Sequence, residues 1–161
     1  MPYLDWPTLN LGSDMQLTSF TDYGLRALMR LASEPDRIFT TQEIAGEFGI
    51  SRHHLMKVVQ ELAREGFVAT QRGAGGGFHL SRPPESITIG AVVRSLETHY
   101  PMVECFRADG GSCTLTPACR LKGQLAAARE TFFNALEATT LAQCAYPASA
   151  IDTNAPFEPR R

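Results

Sequence analysis

Residues 40–66, TTQEIAGEFGISRHHLMKVVQELAREG, decide the fold. Thr40 stands three residues before Glu43, the spacing of a capping box, and Ile44, Ala45 and Phe48 share one face of the short helix that follows. Gly49 permits a turn. Ser51 then takes an N-cap position for a second helix, in which Leu55, Val58, Val59, Leu62 and Ala63 recur at helical spacing. Arg52, His53, Lys57, Gln60 and Arg64 hold the opposite face. Two short helices about a Gly-containing turn, the second polar and basic on its free side, form the helix-turn-helix pattern.

Downstream, Gly66 ends the helix and Phe67 to Gln71 favours a strand. The turn Arg72-Gly-Ala-Gly-Gly-Gly77 leads to Phe78-His79-Leu80, which alternates apolar and polar, so the pair predicts a β-wing. Upstream, Leu25, Leu28, Met29 and Ala32 mark a helix over Ser19 to Ala32, with Ser19 as N-cap. The expected class is mainly α with a small β-wing: a winged helix-turn-helix domain over 15–82 plus a long dimerisation helix.

Pro83-Pro84 ends the wing, and Ile89, Val92, Val93 and Leu96 mark another short helix. Thr116 and Pro117 suit the N-cap and N1 of a helix running to about Cys144. Along it Leu121, Leu125, Ala128, Phe132, Ala135 and Thr139 advance by steps of four and three, a narrow seam fit for helix pairing. At roughly 40 Å it would exceed the needs of so small a domain, which predicts a homodimer. Residues 83–144 thus read as a sensor loop plus dimerisation helix. Residues 1–14 lack periodicity and read as a disordered extension or a misassigned start before Met15, and 145–161, rich in Pro and Ala, as a disordered tail.

No apolar run approaches the roughly 20 residues needed to span a bilayer, so no membrane partner is expected. The N-terminus lacks the basic and apolar regions of a secretory signal, which points to the cytoplasm and to reduced thiols. The net charge is −2, yet between Ser51 and Arg82 five cations (Arg52, Lys57, Arg64, Arg72, Arg82) face only Glu61 and Glu65. A basic face on an acidic molecule fits double-stranded DNA. Arg52, His53, Lys57 and Gln60 are the base or phosphate candidates, with Ser51 and His54 beside them and Arg72, Gly75 and Gly76 at the wing tip. Adjacent His53 and His54 diverge on a helix, which argues against a metal pair. The glycine-rich turn is no phosphate loop, because Phe78 stands where the last glycine of G-x-G-x-x-G belongs. With no HExxH, nucleophile elbow or paired acids, the chain is not expected to be an enzyme.

Cys105, Cys113 and Cys119 are spaced C-x7-C-x5-C in a loop bent by Gly110, Gly111 and Pro117. Soft thiolates suit iron–sulfur clusters and zinc. Structural zinc usually shows a C-x2-C pair and four protein ligands, neither evident here. Cys119 is expected in the first turn of the long helix, where the dipole favours a thiolate. The plain alternative is three small buried hydrophobes, the role assigned to Cys144. A four-iron cluster needs one more ligand, for which His99, Glu104, Asp109 and Asp22 are open; Asp22 at N3 of the first helix also serves simply as a favourable helix-start acid.

The stretches MQLTSFTDYGLRALMRLA (15–32), ISRHHLMKVVQELAREGFV (50–68), RGAGGGFHLSRPPESITIGAVVR (72–94), VECF (103–106), CTLTPACRLKGQL (113–125) and TTLAQ (139–143) are, as a set, similar to the Rrf2 family of bacterial winged-helix regulators. The likeness runs from Met15 to about Cys144 and is strongest to the nitric-oxide-sensing branch. It implies a homodimer joined through the long helix, a palindromic operator and an iron–sulfur cluster in each protomer, 4Fe-4S favoured over 2Fe-2S. It further implies a repressor released when nitric oxide reacts with the cluster. The cluster-assembly branch has a ligand histidine three residues beyond its third cysteine, where this chain has Lys122. By position, the resemblance makes Asp22 of the opposite subunit the fourth ligand. The alternatives are another Rrf2-type regulator sensing cluster or redox status, a cluster-free thiol-based regulator and an electron-transfer iron–sulfur protein.

Overall fold

The computed structural model describes residues 16–147 and 149, so the expected N-terminal extension and most of the expected tail lie outside the described residues. Among them the element order is α1 (Ser19–Ala32), α2 (Thr41–Phe48), α3 (Arg52–Arg64), β1 (Val68–Gln71), β2 (Gly77–Leu80), α4 (Ile89–Glu97) and α5 (Arg120–Glu137), with short 3-10 turns between. This is the mainly helical, winged arrangement the sequence predicts.

Thr18, not Ser19, caps α1: its backbone is extended and its hydroxyl accepts the Thr21 amide at 3.2 Å. The reason lies elsewhere in the chain, because the Thr18 hydroxyl also donates to Glu97 of α4 at 2.9 Å. Asp22 therefore stands one residue deeper than N3. In α2 the Thr40 hydroxyl accepts the Glu43 amide at 3.1 Å, but the Glu43 carboxylate pairs with Arg37 and leaves the capping box half closed. Gly49 ends α2 in the left-handed region, φ 61°, which an L side chain rarely adopts. Ser51 holds the N-cap position of α3, yet its hydroxyl makes no capping bond.

The predicted apolar stripe of α3 is buried as Leu55, Val58, Val59 and Leu62 and packs against α1. The wing is one antiparallel hairpin with Val68 opposite Leu80 and Gln71 opposite Gly77. Its second strand is anchored by a bridge between Phe78 and Phe39, whose amides and carbonyls exchange bonds of 2.9 and 2.8 Å. Gly77 is required there, since a Cβ would lie 2.2 Å from the Phe39 oxygen.

The long helix is shorter than expected. α5 has 18 residues, roughly 27 Å, not the anticipated 40 Å. At its start Thr116 and Ala118 belong to a separate 3-10 turn, and Cys119 occupies the N-cap position instead of the first helical turn. At its end the chain folds back over the start of α4: the Ile89 amide donates to the Thr139 carbonyl at 2.9 Å and the Leu141 amide to Ile87 at 2.7 Å. Leu141 is fully buried by this reversal. The Tyr146 amide then donates to Met29 of α1 at 2.9 Å, so the chain stays docked past residue 145, where a free tail was expected.

A single apolar core joins α1 to α4, the wing, Phe133 and Leu141. α4 and α5 pack closely because Gly90 has no side chain; a Cβ would come within 2.7 Å of the Phe133 carbonyl. One charge is enclosed. Arg30, 1% exposed, binds Glu34 at 2.8 Å and Glu47 at 2.9 Å and covers the Phe39 ring, tying α1 to α2.

Candidate functional site

α3 owes its orientation to its buried stripe, which turns the opposite face outward. Ser51, Arg52, His53, His54, Lys57 and Gln60 are all exposed on it, as are Arg72 and Gly75 at the wing tip; Gly76 is half-buried. Among the described residues Arg52, Lys57 and Arg72 make no ion pair, so their charge is uncompensated there. Gly73 and Gly75 take φ of 99° and 78°, giving a tight tip about the exposed Ala74. This pairs a helix face with a wing as one cationic surface.

Met56 was missed by the sequence reading. It is 41% exposed on that polar face, and the signal was an apolar residue outside the buried stripe.

Cys105 lies in the 3-10 turn Glu104–Phe106, Cys113 beyond the Gly110–Gly111 bend, and Cys119 at the start of α5. All are free thiols and half-buried. They do not converge: among the described residues no three His, Cys, Asp or Glu side chains form a metal-holding group. As donors they fit an iron–sulfur cluster, being unpaired soft sulfurs on one bent loop. A second feature agrees, for the Thr116 hydroxyl between Cys113 and Cys119 is buried without a partner among the described residues. Cys144 is different; burial raises its thiol pKa, and it packs against the core as expected.

The intrachain candidates for a fourth ligand are engaged. The Glu104 carboxylate accepts the Ser112 hydroxyl at 2.6 Å and its amide at 3.0 Å, and these bonds hold its pKa low. Asp109 accepts two bonds from Arg107 and one from the Gly111 amide. His99 contacts Glu61 at 3.4 Å and Arg64 at 3.2 Å on α3. Asp22 lies apart on α1, paired with Arg26 at 2.8 Å, both nearly half exposed.

The cysteine loop is fastened to α1 and α3 at its root. Glu97, which sequence reasoning did not single out, accepts both the amide and the hydroxyl of Thr18 at 2.9 Å, and two residues later His99 meets the end of α3.

On α5, Phe133 is buried and Leu136 half-buried against the core, with Arg94 bridging to Glu130 at 2.6 Å. Of the predicted seam, Phe132 also packs against this core. Leu121 is 61% exposed, Ala128 and Ala135 are exposed, and Leu125 and Phe132 are half-buried.

The family model described as an iron-dependent transcriptional regulator, Rrf2, matches residues 17–146. The chain belongs to the Rrf2 family. Curated relatives agree: the HTH-type transcriptional regulator NsrR of Geobacillus kaustophilus is 47% identical over 129 residues, covering 80% of this chain and 88% of that one. The NsrR of Halalkalibacterium halodurans is 44% identical over 128 residues, 79% and 88%. Among solved structures, Staphylococcus aureus CymR matches with TM-score 0.60 at 27% identity over 80% of this chain and 96% of its own. T. potens IscR matches with TM-score 0.60 at 25% identity, 80% and 85%. This Rrf2 chain is a transcriptional regulator and not an enzyme. None of its described helices is long and apolar enough to cross a membrane.

Proposed function

We propose that this Rrf2 protein is a homodimeric repressor that binds a palindromic DNA operator, carries a 4Fe-4S cluster in each protomer, and leaves DNA when nitric oxide reacts with the cluster. One observation carries the reading: three unpaired thiols sit on a loop whose root is bonded to both α1 and α3. The identity to regulators named NsrR supports the nitric-oxide branch.

Cys105, Cys113 and Cys119 would hold the cluster as thiolates, with Asp22 of the second protomer as fourth ligand. When bound, it supplies iron that reacts with nitric oxide. The remaining work falls to the chain. Asp22 leaves an exposed pair with Arg26, a loss of under about 1 kcal/mol. Movement of the cysteine loop is passed through Glu97 to the cap of α1 and through His99 to the end of α3. The α5 seam of Leu121, Leu125, Ala128, Phe132 and Ala135, its Phe132 shared with the protomer's own core, receives its copy in the partner and sets the spacing of the two reading helices.

The test is anaerobic purification, iron and sulfide analysis, and parallel titration of cluster absorbance and operator binding with nitric oxide. Both signals should fall together. DNA release by peroxide or iron starvation, with nitric oxide inert, would overturn the reading. Cluster-free thiol regulation is the second reading, favoured by the non-convergence of the three sulfurs. It predicts operator control in protein that contains neither iron nor sulfide.

A further inference from the structure

We propose that Met56 is a specificity residue that reads thymine through its C5-methyl group in the major groove. The inference rests on the reading of α3 as the DNA-reading helix. At about 100° per residue, Met56 projects between Arg52 and Gln60, on the side of the exposed arc nearer Ala63, while Leu55, Val58, Val59 and Leu62 occupy the buried one. Its neighbours on that arc are cations and hydrogen-bonding groups that attract phosphates and polar base edges. Met56 can do neither.

Its exposure also sets it apart. Among the described residues the other large exposed apolar side chains are Ile38 before α2 and Tyr100, Met102, Leu115 and Leu121 on the cysteine loop and the start of α5. Of these Met56 alone is on α3, and it is not among the partly buried hydrophobics packed against the core. In the major groove the apolar feature of a base pair is the thymine methyl, which distinguishes all four pair orientations when read beside polar contacts. A long, unbranched thioether adapts its shape to such a methyl.

The measurement uses the full-length protein and an operator obtained by selection from random DNA. Each thymine is replaced in turn by deoxyuridine, which removes only the methyl. Wild type should lose about fourfold in affinity at one thymine per half-site, the equivalent of about 0.8 kcal/mol for one buried methyl. Met56→Ala, which keeps a good helix former at an exposed position, should bind the thymine and uracil operators equally and retain its circular dichroism. Met56→Leu should restore part of the discrimination. Selection of an operator at which every thymine is insensitive, or at which the loss persists in Met56→Ala, overturns this inference and leaves the repressor reading standing. Failure to select any operator overturns both.

Discussion

The carboxylate of Glu97 accepts the amide and the hydroxyl of Thr18, each at 2.9 Å, so that the last turn of α4 holds the first turn of α1. Both residues are part-buried, and the bonds span 79 positions of sequence. Glu97→Ala leaves the Thr18 groups without their acceptor and should destabilise the protein by about 1–2 kcal/mol in urea unfolding. Thr18→Ala also loses the cap of α1, a comparable effect. Glu97→Gln, which keeps an acceptor oxygen, should recover most of the loss. Equal loss in Glu97→Gln and Glu97→Ala would show that charge, not the bond pair, is what matters.

Asp22→Ala should fold normally, because it removes only an exposed ion pair. It should retain iron on the three cysteines while weakening the coupling between cluster state and DNA affinity. Cys105→Ala, Cys113→Ala and Cys119→Ala should lose iron altogether. Iron spectroscopy and operator titration on the four variants check this. Wild-type spectra and coupling in Asp22→Ala would reduce Asp22 to a helix-start acid and send the search for a fourth ligand to His99, Glu104 or Asp109.

Arg52→Ala and Lys57→Ala should weaken operator binding with no change in thermal stability, since both side chains are exposed and make no ion pair among the described residues. If the lost contact is to phosphate, the salt dependence of binding should flatten by about 0.9 in log–log slope. If it is to a base, discrimination at one position should relax instead. Unchanged gel shifts in both variants would move the reading face elsewhere.

Arg30 remains charged although burial opposes it, because bonds to Glu34 and Glu47 outweigh the desolvation and raise its pKa. The same contact lowers the pKa of Glu34. A depressed folded pKa adds stability above the unfolded carboxylate value of about 4.3, and that stability disappears as pH falls through the lower folded value. Glu34→Gln should therefore be less stable than wild type at neutral pH, with the gap closing in acid. Denaturant unfolding at several pH values measures it. A gap that stays constant with pH would mean that the charge of Glu34 plays no part.

Leu121→Glu combined with Leu125→Glu should produce monomer in analytical ultracentrifugation while leaving helix content unchanged, because neither side chain is buried in its own chain's core. Charges placed in an apolar seam must be desolvated in the dimer but not in the monomer. Loss of fold rather than loss of association would make the seam part of the protomer's interior.

The helix-turn-helix and the wing were legible in the sequence because their signals are local. Leu55, Val58, Val59 and Leu62 mark a buried stripe at helical spacing, Gly49 and Gly66 punctuate it, and alternation around Phe78 marks a strand. The cationic face of α3 follows, as the surface left over once the stripe is buried. What the tertiary structure decided depends on contacts distant in sequence. The cap of α1 moved from Ser19 to Thr18 because Glu97 reaches it from α4. The end of α5 was set by the return of Thr139 and Leu141 onto α4, where Thr140 and Gln143 close a capping box of their own. The placement of Gly90 against Phe133, which brings α4 and α5 together, is likewise invisible to periodicity, because a glycine carries no apolar signal and its role is only the space it leaves. Cysteine spacing identified soft donors, whereas their positions depend on how Glu104, Asp109 and His99 are engaged across the loop and with α3. Local periodicity reports which side of an element is buried; only the folded chain determines what that side is buried against.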